Sequence, residues 1–388
     1  MASEKRADVA VVGAGIVGLA HAWQAARLGK KVVVFERSSQ AKGASVRNFG
    51  LIWPIAQPAG FVHQMALRSR ELWIELLNTC KLPFSSNGCL FACYQDDEEA
   101  VGREFCSNAP GQGYTCEWLD PKRARERSDA LRSQGLRGAI YSPTELMLDP
   151  RVILRELPKV FAARYSVEFR FGCPVRRIEL PAVETADEKW SVDQVIVCTG
   201  HDFETLFPAE FRSSGLTRCK LQMLQTVPQP DGWKLGPALA SGLSMAHYAS
   251  FQMCSSYEAL RKRISAKMHA YERWGIHVMV SQTEQGELTI GDSHEYSQVV
   301  DFVDKAEIEE LQLDYLDSFA LFPDRTIAHR WQGVYAWHPE KPFFVATPEK
   351  GCLIVTGLGG SGMTLSLGLA ERVTKKFFEG TRTVAHSR

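Results

Sequence analysis

The sequence has no net charge to offer a partner: its 388 residues include 45 Lys plus Arg and 45 Asp plus Glu. Without an excess of either sign, no long-range field draws the whole molecule to nucleic acid or to an anionic membrane, and a small uncharged or zwitterionic ligand fits better. The chain also lacks any run of about 18 continuous apolar residues, the length a membrane-spanning helix needs. The opening MASEKRADVAVVGAG places basic residues before an apolar run. That run is too short to span a bilayer and leads directly into glycines, so it is not read as a targeting segment. A soluble, cytoplasmic protein without stable membrane insertion is expected.

Paired cysteines are missing as well. Ten cysteines are scattered along the chain, only Cys89 and Cys93 lie close together, and no CxxC pair or zinc-type histidine spacing accompanies them. No metal is therefore expected. Several sit inside apolar runs, such as Cys198 in VIVCTG, where a free thiol behaves as a small buried hydrophobe, in keeping with reduced cytoplasmic thiols. Neither internal repeats nor a low-complexity linker divides the chain. Its length and 45% hydrophobic content allow two cores, so two interleaved lobes are expected rather than a tandem pair.

What is present begins with DVAVV at 8–12, small and apolar residues at helical spacing over 16–28, Gly29 as a helix-ending residue, and KVVVF at 31–35. This is a β-α-β unit, which favours a parallel sheet with a right-handed crossover. VDQVIVCTG (192–200) and GCLIVTG (351–357) also lack alternation, as expected for strands buried on both faces. GCLFACY (88–94), GELTIGDS (286–293) and an amphipathic helix near 303–320 suit an antiparallel sheet with helices.

Gly13-Ala14-Gly15-Ile16-Val17-Gly18 is a GxGxxG turn between that strand and helix. Gly13 permits the tight turn, Gly15 lets a pyrophosphate approach the backbone, and Gly18 lets helix and strand pack closely. Glu36 ends the second strand, where its carboxylate would accept hydrogen bonds from ribose hydroxyls and repel a 2′-phosphate. These features alone do not separate NAD from FAD.

Glu36-Arg37 followed by Gly43-Ala44-Ser45-Val46-Arg47-Asn48-Phe49-Gly50 resembles the D-amino-acid oxidase superfamily of flavoproteins. So do Cys198-Thr199-Gly200, Trp331-Gln332-Gly333 with Pro339 beyond, and Gly357-Leu358-Gly359-Gly360-Ser361-Gly362-Met363-Thr364, all in the family's order. The resemblance implies non-covalent FAD, held on a Rossmann-type domain assigned to residues 1–82, 151–216 and 339–388. An α+β substrate domain, built on a mainly antiparallel sheet, would take 83–150 and 217–338. The implied cofactor shell is Gly13, Gly15, Ile16, Val17, Gly18, Glu36, Arg37, Ser45, Arg47, Asn48, Gly50, Val175, Thr199, Gly200, Gly357, Gly359, Gly360, Ser361, Gly362, Met363 and Thr364. The last glycine-rich turn opens a helix, whose positive end would stabilise the charge of reduced flavin.

The chain departs from the family at the substrate. Glycine and D-amino-acid oxidases clamp the substrate carboxylate with an arginine at the position of Tyr335, and monomeric sarcosine oxidase uses cations at the positions of Trp53 and Thr364. Gly333 stands where the latter tethers its flavin through cysteine. Losing all three clamps argues against an ordinary amino-acid substrate. Arg330, Tyr335 and His338 are candidates to meet a tetrahedral oxyanion such as a phosphonate, with Trp53, Tyr248 and Trp337 as walls; His247 and Tyr248 are further candidates to steer the amine. RNFGLIWPI resembles a bacterial branch associated with aminophosphonate breakdown, implying a 2-aminoethylphosphonate-type amine. The expected reaction is hydride transfer from the amine-bearing carbon to flavin, hydrolysis of the imine, and no obligatory protein base. Oxygen or a soluble carrier would take the electrons. An amino-acid oxidase, a hydroxy-acid dehydrogenase and a non-catalytic flavoprotein remain open alternatives.

Overall fold

The computed structural model describes residues 5–382; the outermost residues of the segments 1–82 and 339–388 therefore lie outside the described range. The N-terminal unit is β1 (Lys5–Val12), α1 (Ile16–Arg27) and β2 (Val32–Glu36), with β1 and β2 parallel. The strand Lys189–Val197 lies parallel on the other side of β1, followed by Cys352–Thr356, while Glu168–Phe171 extends the sheet beyond β2. Val9, Val11, Val33, Val34, Ile196 and Ile354 are fully buried, which is why these strands read as unbroken apolar runs. Helices cover one face. Residues around Val183, Trp190 and Phe211 cover the other.

Gly29 takes φ +76 just past α1, the left-handed conformation glycine allows at a helix end. A Cβ at Gly18 would sit 1.8 Å from the carbonyl oxygen of Gly13. That glycine is demanded by the contact of α1 with the turn beneath it.

The second sheet runs Glu295–Ser297, Thr217–Thr226, Leu288–Gly291, Met279–Gln282, Ala238–Ser241, Cys89–Cys93, Gly138–Ser142 and Glu117–Leu119, with Ile327–Trp337 also pairing along Thr217–Thr226. Its pairings are antiparallel except that between Ala238–Ser241 and Cys89–Cys93. The architecture is thus α/β, with a sheet that is parallel through its centre and antiparallel at Phe344–Ala346, Ala182–Glu184 and Arg177–Glu179, interleaved with a mainly antiparallel one. The helix expected near 303–320 is Ala306–Phe319. The long strand Ile327–Trp337 was not expected, because its burial does not simply alternate, so no period-2 signal marks it. Among the described residues no helix is long and apolar enough to cross a membrane.

Buried polar groups stitch the second sheet to its helices. Glu98 receives the backbone N–H groups of Tyr94 and Gln95 and one arm of Arg263. Removing a buried, hydrogen-bonded charge leaves its partners unsatisfied at about 3 kcal/mol, so Glu98→Ala should lose roughly that much in urea unfolding, and Glu98→Gln less.

Candidate active site

One cavity of about 1080 Å³ runs from the glycine turn after β1 to the face of the second sheet. It matches or exceeds the top of the about 300–1,000 Å³ range of ligand pockets, room for a dinucleotide and a small substrate together.

At one end, Gly13 adopts φ +107 and a Cβ there would meet the Cys198 carbonyl oxygen at 2.4 Å. α1 then starts at Ile16 with no acidic residue in its first turn. The Ser45 hydroxyl accepts the Ile16 N–H at 2.9 Å. The positive helix end therefore faces the cavity with a single hydroxyl beside it, an arrangement suited to phosphate. Glu36 is fixed by accepting N–H groups of Ala14 (3.0 Å) and Ser38 (2.9 Å), which holds its carboxylate beside the turn. Arg37 also lines the cavity, paired with Asp202 at 2.8 Å.

The loop after β2 is tied to the second sheet. Arg47 donates to the carbonyl of Gln332 at 3.0 Å, and Trp331 Nε1 donates back to the carbonyl of Arg47 at 3.2 Å. Asn48 donates to the carbonyls of Ala44 and Ser45 and accepts from Gly50 N–H, so it shapes the loop as well as lining the cavity. Val175, Thr199 and Gly200 also line it.

The second glycine turn closes the other side. Cys352–Thr356 ends in Gly357 (φ +71) and Gly359 (φ +57), and a long helix starts at Gly362. Its first turn is held by the Trp53 N–H on Thr364 Oγ1 (2.9 Å), by Trp73 Nε1–H on the Met363 carbonyl (2.8 Å), and by Gln57 at Ser361. Two helix N-termini thus point into one cavity, the donor pattern that a diphosphate and an anionic reduced ring require. The residues present fit FAD. Gly333 brings no side chain to the wall, and a Cβ there would meet Leu221 at 2.6 Å. Burial raises the Cys198 thiol and pushes Cys352 up to about 12, so neither is a ready thiolate.

Beyond the turn lies a chamber. Tyr335 and Trp337 rest on Gly360 and Gly359: Cβ atoms there would be 3.6 Å from Tyr335 Oη and 3.2 Å from Trp337 Cδ1. Trp53 and Tyr248 both lean on Phe91, with ring centroids 5.7 and 6.4 Å away. Burial raises Tyr335 and Tyr248 well above the usual phenol range, so both stay protonated donors.

Four sequence assignments change. Arg330 does not line the cavity: its guanidinium is bidentate on Glu309 at 2.7 and 2.8 Å. On an extended strand at about 3.3 Å per residue, five positions carry it about 16 Å from Tyr335. His338 lines the cavity, but its Nδ1 accepts the N–H groups of Glu340 and Lys341, so it shapes a turn. Gly50 and Gly18 face backbone rather than the cavity, the former because a Cβ would lie 1.8 Å from the Leu148 carbonyl oxygen. Arg330→Ala should accordingly leave kcat/KM within about twofold, since an exposed ion pair contributes about 0–1 kcal/mol; steady-state kinetics check this.

His277, His294 and Asp292 also line the chamber, beside His247. His277 and Asp292 exchange backbone hydrogen bonds at 3.0 and 3.3 Å, a pairing that sequence spacing does not reveal. Burial lowers His247 and His277 well below the usual imidazole range and raises Asp292 to about 6. His247 is open to the cavity, and the protein around the cavity keeps its ring neutral.

The family model described as DAO, FAD dependent oxidoreductase, matches residues 8–376. The tRNA 5-methylaminomethyl-2-thiouridine biosynthesis bifunctional protein of Shewanella amazonensis is 25% identical over 409 residues, covering 95% of this chain and 56% of its own. The chain thus spans about half the length of that relative. An opine oxidase component of Agrobacterium tumefaciens is 24% identical over 275 residues, 67% of this chain and 73% of that one. Among solved structures, glycine oxidase from Geobacillus kaustophilus superposes with TM-score 0.75 at 18% identity, over 97% of this chain and 95% of that one.

Proposed function

Since the chain belongs to the DAO family of FAD-dependent oxidoreductases, we propose that it oxidises a small primary or secondary amine bearing an anionic group of the 2-aminoethylphosphonate type. The observation that carries this reading is the chamber's lining: Trp53, Tyr335 and Thr364, which the family resemblance sets at the clamp positions, all line it, and none is a cation. Planar carboxylates call for a bidentate guanidinium, and Arg330 is committed to Glu309. The names of the relatives, opine oxidase and glycine oxidase, belong to amine chemistry.

FAD, when bound, supplies the acceptor for the hydride and its electron pair. The chain's own residues do the rest. The aromatic walls Trp53, Tyr248 and Trp337 exclude water and fix the reacting C–H bond, which accounts for a large share of the barrier lowering in such a reaction. The protonated hydroxyls of Tyr335 and Tyr248 are available to donate to an anionic oxygen.

Anaerobic mixing of holoenzyme with N-methyl-2-aminoethylphosphonate, 2-aminoethylphosphonate, sarcosine, glycine and a hydroxy acid tests the reading by flavin bleaching. Fast bleaching by the phosphonates alone is the expected result. Bleaching by sarcosine or glycine alone would return the chamber to amino-acid oxidation, and bleaching only by the hydroxy acid would abandon amine chemistry. Tyr335→Ala should lower kcat/KM at least about tenfold, the effect of about 1.4 kcal/mol lost from the transition state.

A further inference from the structure

The chamber holds four donor groups that the flavin reaction does not use. His247, His277 and His294 each offer one ring nitrogen, and these atoms all lie within 4.8 Å of one another. The rings of His247 and His277 are stacked with centroids 3.8 Å apart and planes 24° apart, and those of His247 and His294 are 4.7 Å and 33° apart.

Hydrogen bonds set which nitrogens remain free. His294 Nδ1 lies 2.9 Å from the Gly275 carbonyl oxygen, which can only accept, so Nδ1 carries the proton and Nε2 keeps its lone pair. Ser244 Oγ lies 3.3 Å from both the Val278 carbonyl oxygen and His277 Nδ1. When its proton goes to the carbonyl, Nδ1 is the donor and His277 Nε2 keeps the lone pair that metal binding requires. A carbonyl or hydroxyl partner on the far nitrogen is the outer shell that orients metal-binding histidines.

His277 Nε2 lies 3.3 Å from Asp292 Oδ1. Asp292 is 6% exposed, and its Oδ1 is buried without a hydrogen-bond partner among the described residues. A buried carboxylate oxygen left in that state is one that a neighbouring cation would satisfy. Asp292 and His277 are held on neighbouring strands by their mutual backbone bonds, so the carboxylate cannot swing away to water.

We propose that His247, His277 and His294 form a binding site for a redox-inert divalent cation of the zinc class, with the Asp292 carboxylate beside it as counter-charge and a fourth coordination position open to the anionic oxygen of the substrate. Three imidazoles with one open position are a donor set suited to zinc. Binding requires the near-parallel rings to turn until their nitrogens converge from within 4.8 Å to the about 3.4 Å spacing implied by Zn–N bonds of about 2.1 Å in a tetrahedral site. The ion's two charges against one carboxylate leave a net positive centre, which replaces the guanidinium that Trp53 and Tyr335 do not provide. This second part rests on the reading of the substrate as an anionic amine; the site itself does not.

The test is calorimetric titration of zinc chloride into untagged, chelator-treated holoenzyme, with metal analysis of the enzyme as purified. One equivalent binding at micromolar affinity or better is expected. His247→Ala, whose side chain only borders the cavity, should weaken it at least about tenfold with flavin absorbance and melting temperature retained, and Asp292→Asn should do likewise. No saturable binding, or binding unchanged in both variants, overturns the site. Zinc should also lower KM for 2-aminoethylphosphonate at least about tenfold relative to chelated enzyme, with kcat little changed. Zinc bound with KM unmoved overturns the anion clamp. Zinc bound while no amine bleaches the flavin supports the site and overturns the amine reading instead.

Discussion

Gly15→Leu is expected to give a folded protein that no longer retains flavin. Gly15 has φ −68, a conformation open to any residue, so the backbone tolerates the change. Its Cβ would stand 3.1 Å from Ser45 Oγ, and the rest of a leucine side chain would occupy the space in front of the α1 N-terminus. Each charge-assisted hydrogen bond lost by a diphosphate there is worth about 1.5–3 kcal/mol, or roughly a tenfold to hundredfold loss of affinity for each. Flavin absorbance after gel filtration, read beside the far-ultraviolet circular dichroism, checks the outcome. Full retention of flavin would mean that the turn does not face the pyrophosphate.

The second large effect is on stability in acid. His21 is fully buried on α1 with Nδ1 at 2.7 Å from the Val17 carbonyl, and His63 is buried against Tyr114 with ring centroids 3.9 Å apart. Burial lowers both from 6.5 to about 4. The unfolded chain thus binds more protons than the folded one between these values, so stability is complete above about pH 6.5 and is lost as pH falls towards 4. Between pH 7 and 5 the loss amounts to about 2 kcal/mol per histidine, a large part of a typical total of about 5–15 kcal/mol. Urea unfolding of holoprotein at the two pH values should show it. His63→Phe should remove that residue's share, about 2 kcal/mol, of the dependence; an unchanged slope in that variant would mean that the ring is already charged or hydrated in the fold.

The nucleotide-binding half of the fold was legible because its constraints are local. Gly13 and Gly15 answer to a turn of a few residues, β1 and β2 read as unbroken apolar runs, and α1 carries helical spacing. The same local reading assigned Gly18 its packing role but could not tell Gly50, which makes room for a backbone oxygen, from glycines that make room for a ligand. All of them look alike in one dimension. Arg330 was misplaced because sequence proximity to Tyr335 was taken for spatial proximity, and an extended strand spends its length quickly. His277, His294 and Asp292 escaped notice for the opposite reason. They are brought together by the pairing of strands and by the return of the chain past His247, and no spacing rule encodes that.

The chain passes between its two sheets repeatedly, and Cys352–Thr356, the neighbour of Lys189–Val197 in the parallel sheet, comes after every strand of the other one. During synthesis, therefore, the Val195–Val197 end of the strand Lys189–Val197, beyond its pairing with Ala182–Glu184, must wait with an open hydrogen-bonding edge until Cys352–Thr356 has left the ribosome. Open edges of apolar strands recruit other chains. A chaperone that shields this edge, or early docking of the cofactor on β1 and α1, would decide how much of the nascent protein matures, and production in cells starved of riboflavin should yield mainly aggregate.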